Sequence, residues 1–187
     1  MSNIFLPGIF KHGIVYTGRR KNWKKSDWNN IHITDHQKSL IQVNHNIIEA
    51  IAEGVVSGSL EEILDTKINR LAVFRPNLSN QEIMGVMQTI HSYLGNQYDF
   101  SFDFNDAESQ VCTEVIYRGY NEIGNIQFGL TKRAGTLNLS AEDVCRYAIN
   151  SGNMELVTLI VEDEYRKGKT RFVSPENGVE IILALMN

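Results

Sequence analysis

Cys112 opens the run Cys112-Thr113-Glu114-Val115-Ile116-Tyr117. Val115, Ile116, Tyr120 and Ile123 follow at helical spacing, and Ser109 or Asp106 offers an N-cap, so the pattern predicts a helix with the thiol in or near its first turn. Unpaired backbone N–H groups and the positive end of the helix dipole favour a thiolate there. Such a sulfur is a nucleophile at neutral pH if a base stands beside it. A small buried thiol fits the same place, because Val115 and Ile116 read as core. Position alone does not choose between the two.

Two side chains elsewhere could complete the chemistry. His12 precedes the apolar strand pattern of Gly13 to Tyr16. An imidazole at a strand start can take a thiol proton or form a thiolate–imidazolium pair, and it can equally be a surface histidine. Glu49 interrupts the apolar stretch Ile47-Ile48-Glu49-Ala50-Ile51. A carboxylate buried there needs a partner, and an imidazole N–H is one that would gain a fixed tautomer. Strand alternation also allows Glu49 to face solvent. His32, His36 and His45 have no spacing that converges on a metal, so no metal or other cofactor is expected. Arg19, Arg20, Lys21, Lys24 and Lys25 surround Trp23 and Trp28, which reads as a solvated loop anchored by two tryptophans rather than a nucleic-acid surface. Cys145 lies mid-helix among apolar neighbours and reads as core.

The elements that position these residues alternate without strict βαβ order, an α+β pattern. Residues 12–18 predict a strand ended by Gly18, and 19–38 a loop. Leu40 to Ala50 predicts a second strand, Ser59 with Glu62 a capped helix to Leu64, and Lys67 to Phe74 a third strand stopped by Pro76. Ser79 and Glu82 make a capping box for a long helix closed by Gly95. The Cys112 helix should end near Gly124, residues 125–138 read as loop, and Ser140 starts another helix. Met154 to Val161 reads as a strand, Glu162 to Lys169 is highly charged, and Val179 to Met186 is apolar without a clear period.

The bulk numbers set limits. The 187 residues suit one domain with an appendage, and 42% hydrophobic residues can build a core. A net charge of −4 gives no reason to expect nucleic acid. Two cysteines outside any CxxC pair argue against a disulfide scaffold. No apolar stretch is long enough to span a bilayer, and Met1 to Gly8 lacks the pattern of a signal peptide, so the chain as written reads as cytoplasmic.

Three blocks in order resemble a known family. They are His12-Gly-Ile-Val-Tyr16-Thr-Gly18, then Ile47-Ile48-Glu49-Ala50 with Gly54-Val55, then Tyr98-Asp99-x-x-Phe102-Asp103 before Cys112-Thr113-Glu114-Val115-Ile116-Tyr117. Together they resemble the permuted papain-like cysteine amidases and peptidases of the NlpC-related group, the YiiX/YaeF-like enzymes, in which histidine precedes cysteine. The resemblance covers roughly residues 5–120. It implies a circularly permuted papain-like fold with an antiparallel sheet or small barrel packed on the cysteine helix. It also implies a core over 1–124 with residues 125–187 packed on it. In it Cys112 would be the nucleophile, His12 the base, Glu49 the orienting carboxylate and Tyr16 a substrate-side residue. The implied substrate is a peptide or lipid amide, with cell-wall peptide among the candidates. A lipid acyltransferase or thioesterase of the lecithin retinol acyltransferase type, and a non-catalytic binding module, are the competing readings.

Overall fold

Three helices start the same way, on a hydroxyl followed three residues later by a side chain that reaches back. Thr34 with Gln37, Ser79 with Glu82, and Ser140 with Asp143 each form a reciprocal capping box. The computed structural model describes residues 8–186 apart from 67, 101, 103, 105–108, 134, 164 and 167. In chain order the elements are β1 (Val15–Tyr16), α1 (Lys25–Asn29), α2 (Asp35–Ser39), β2 (Ile47–Ile51), β3 (Gly54–Gly58), α3 (Leu60–Leu64) and β4 (Arg70–Pro76). Next come α4 (Asn80–Ser92), β5 (Gln97–Tyr98), β6 (Ser109–Gln110), α5 (Cys112–Tyr120), β7 (Thr131–Arg133) and β8 (Thr136–Asn138). The chain finishes with α6 (Ala141–Ser151), β9 (Met154–Glu162), β10 (Thr170–Val173) and α7 (Pro175–Met186).

The elements fall into two compact units. One holds His12–Ile63 and Leu78–Leu139. Its main sheet is antiparallel in the order β1-β2-β3, with Val15 opposite Ile48 and Glu49 opposite Val56. The β2–β3 turn closes at Gly54, whose φ of +111° suits glycine and where a Cβ would lie 2.4 Å from the Asn96 carbonyl oxygen. That close approach lets Val55 exchange both backbone hydrogen bonds with the Gly95–Asn96 segment. Val15, Ile48, Ala50, Val55, Val86, Ile90, Leu94 and Val115 form the core, and α5 packs on β2 and α4. Complete burial of each of these side chains other than Ala50 is worth about 1.5–3 kcal/mol.

The other unit holds the described residues up to Lys11, Leu64–Asn77 and the chain from Ser140 onward. Its antiparallel sheet runs β10-β9-β4, with a bulge between Val73 and Phe74. Helices α6 and α7 lie on β9 over a core of Cys145, Leu156, Leu159, Val161, Val173 and Ile182.

Several expectations change. The strand read over residues 12–18 is only Val15–Tyr16, and that read over 40–50 is Ile47–Ile51. Residues 19–38 hold a 3-10 turn at Arg20–Asn22 and two five-residue helices, too short to show an apolar period. Val56 to Gly58 continue a hairpin, and residues 125–138 contain the β7–β8 ribbon. Ser109 lies in β6, so Val111 occupies the N-cap position of α5; Asp106, like Asp103 and Lys67, lies outside the described residues. The start of α3 is served by Asn46 Oδ1, which accepts the Leu60 N–H, while the Ser59 hydroxyl donates to Glu61. The Val179 to Met186 run is helical, within α7.

Helices α4 and α5 meet at Gly119, where a Cβ would stand 2.7 Å from Ile90 Cγ1. Ile90 is fully buried, so it has little room to move. Gly119→Val is expected to cost about 1–3 kcal/mol through overpacking. Urea unfolding reads this directly, and an unchanged midpoint would refute the close packing.

Candidate active site

Cys112 is the first residue of α5 and is 5% exposed. At that position its N–H has no acceptor within the helix, and the dipole of the turn presents its positive end. The side chains behind it, Val115 and Ile116, pack into the core and hold the turn in place.

The segment leading into β1 runs over this turn. Gly13 makes that possible: a Cβ there would come to 2.6 Å of Ile116 Cδ1 and 3.6 Å of the Cys112 carbonyl oxygen. His12 is therefore carried to the thiol, close enough that Cys112 favours the protonated ring. On its other side, His12 Nε2 lies 2.6 Å from Glu49 Oε2. Glu49 comes from β2, the neighbour of β1, and its side chain is mostly buried. The structure thus brings Cys112, His12 and Glu49 into one cluster from three separate segments.

The charges in this cluster reinforce each other. Burial opposes a proton on His12, but its interaction with Cys112, its hydrogen bond to Glu49 and the charges of both outweigh that and raise its pKa from 6.5 to about 10. The ring keeps 37% of its side-chain surface open to solvent, so the group that would exchange protons is reachable. A sulfur, a protonated imidazole and a carboxylate in line can attack a carbonyl, donate a proton to a leaving group and hold the ring while doing so.

Tyr16 is 55% exposed on β1, four residues beyond His12. The other histidines serve the fold. The Ser57 hydroxyl donates to the Leu40 carbonyl and so accepts from His45 Nδ1. The backbone of His32 exchanges two hydrogen bonds with the Gln88 amide, and His36 lies beside Gly95. Among the described residues no group of three or more potential ligands is arranged to hold a metal ion. Trp23 and Trp28 do anchor their basic segment: each meets the buried His91 ring edge-on, and the Arg20 guanidinium lies 4.4 Å from the Trp28 ring. Cys145 is 4% exposed in the other unit, and burial pushes its thiol up to about 12. Among the described residues no helix is long and apolar enough to cross a membrane.

Sequence reasoning assigned no role to the residues just around the thiol. β5 pairs with β6 so that Tyr98 stands opposite Gln110, two residues before Cys112. The buried Asp99 donates its N–H to the Gln110 carbonyl, and the buried Glu114 forms an ion pair with Arg118. The Glu114 to Arg118 spacing of four is the signal visible in the sequence; the burial of Glu114 is not.

The raised pKa of His12 has a stability consequence. A folded-state value near 10 against an ordinary 6.5 means the contribution is whole below pH 6.5 and is lost as pH rises through 10. Glu49→Gln removes one of the two stabilising charges, so the decline in unfolding free energy between pH 7 and 10 should become shallower. Urea titrations at a series of pH values measure it; identical slopes in both proteins would show that Glu49 does not hold the ring charged.

A stretch of 67 residues is 33% identical to the uncharacterized protein YiiX of Escherichia coli (strain K12), covering 36% of this chain and 33% of that one. The chain thus spans about a third of the length of the curated relative it matches. No solved structure matches it. The family described as permuted papain-like amidase enzymes, YaeF/YiiX, C92, matches over residues 1–173, and the chain belongs to that family.

Proposed function

We propose that the protein is a thiol hydrolase that cleaves an amide bond through an acyl-thioenzyme. The observation that carries this reading is the line of contacts from Glu49 through His12 to Cys112. The Cys112 sulfur, as thiolate, attacks the amide carbonyl carbon and forms a C–S bond. The Cys112 N–H, at the start of α5, donates to the oxyanion. Collapse breaks the C–N bond, and protonated His12 gives its proton to the departing amine. Water then loses a proton to His12 and attacks the thioester, which releases the acid and restores the thiolate–imidazolium pair. Glu49 keeps the ring in position throughout.

On this reading the chemistry resides in the unit of His12–Ile63 and Leu78–Leu139, with the β1–β3 sheet as the small barrel-like half of a permuted papain core. Tyr16 stands on the substrate side of His12. Membership of an amidase family supports an amide substrate, which we take to be a peptide, with cell-wall peptide among the candidates.

The test has two arms. Iodoacetamide should label Cys112 rapidly at pH 6, and His12→Ala should remove that advantage; labelling that rises only as an ordinary thiol ionises would refute the mechanism. Peptide amides assayed beside acyl esters should be turned over preferentially, with a loss of roughly 10²–10⁴-fold in His12→Ala and complete loss in Cys112→Ala. Preference for acyl esters would favour the lipid acyltransferase reading. Tight binding of peptide without turnover by the wild type would favour a binding module.

A further inference from the structure

We propose that Glu114 is a positioning residue for Cys112, an inference that rests on Cys112 being the nucleophile. Glu114 is fully buried, two residues beyond the thiol in the first turn of α5. Its two carboxylate oxygens have different duties. Oε2 accepts the Val111 N–H at 3.2 Å, immediately before Cys112. Oε1 accepts from Arg118 Nε at 3.0 Å and Nη2 at 2.6 Å.

Arg118 carries the connection further. Its Nη2 also donates to the Phe104 carbonyl at 3.1 Å. Phe104 is 8% exposed and packs its ring on Tyr117, 5.6 Å between centroids. One buried carboxylate therefore links the residue before the sulfur, the middle of α5 and the chain beyond Tyr98.

The local sequence explains why this link is needed. The residue at the N-cap position is Val111, which has no polar side chain to receive the N–H groups of the turn. Only the backward half of a capping box remains, and Glu114 supplies it. A buried ion pair is a poor way to gain stability, since an apolar pair of similar volume usually does as well. What Glu114 contributes is direction: the peptide entering Cys112 is fixed, so the sulfur stays facing His12 and the Cys112 N–H keeps its aim. Displacement of a reacting group by about 1 Å can cost 10²-fold in rate.

The experiment compares Glu114→Gln and Glu114→Ala with the wild type. Glutamine retains an oxygen for the Val111 N–H; alanine does not. In Glu114→Ala the second-order rate of Cys112 alkylation at pH 6.5 should fall about tenfold or more, and the Val111 and Cys112 amides should exchange hydrogen faster than the rest of α5. Glu114→Gln should recover most of both. Wild-type alkylation in a folded Glu114→Ala protein would overturn the proposal. So would faster exchange spread evenly along α5, which marks a merely structural role. Should the alanine variant fail to fold, Glu114→Met fills the same volume without an oxygen for the Val111 N–H, and unchanged thiol reactivity together with unchanged Val111 exchange in that variant would overturn it instead. Slow, ordinary labelling of the wild-type thiol would sink the hydrolase reading, whereas the exchange at Val111 would still decide the positioning role.

Discussion

The contact between His12 and Glu49 depends on more of the fold than any other contact at the site. It requires β1 and β2 to pair in one register, because a slip of a single residue would turn Glu49 to the opposite face of the sheet. It requires a glycine at position 13, since the backbone there passes within reach of the Cys112 turn. The sulfur reaches the same imidazole because α5 begins at residue 112, which puts it at the helix end. Sheet register, close backbone approach and helix start are set by different parts of the chain. They meet at one imidazole.

The two cysteines show how far environment decides the behaviour of one side chain. Both are buried. Cys145 sits in the middle of α6 against Leu156 and Leu159, where burial holds its proton on and gives a small apolar filler. Cys112 is at a helix start and touches an imidazole already paired with a carboxylate. Fractional exposure alone would not distinguish them; the partners do.

How much of this was legible depends on whether the signal is local. The helices that begin after Ser79 and Ser140 announce themselves, because hydroxyl, acid and apolar period all fall within one turn or two. So does the thiol at the start of α5. The short helices α1 and α2 are hidden by their length, although Thr34 and Gln37 carry the same capping signal as the long ones. The partner of Glu49 could not be read from its neighbours: alternation fits either face, and only strand pairing brings His12, 37 residues away, to it. Glu114 lies within the block that resembles the family, but its complete burial follows from the packing of α5.

The pairing of β4 with β9 joins Arg70–Pro76 to residues more than seventy positions later in the chain. A nascent polypeptide therefore exposes β4 without its ladder partner while everything from Leu78 to Leu139 is still being made. By the time β9 leaves the ribosome, all three residues of the thiol cluster are already synthesised. Any shortened chain that stops before Met154 deprives β4 of its neighbour and leaves an unmatched strand edge, the kind of surface that recruits other chains.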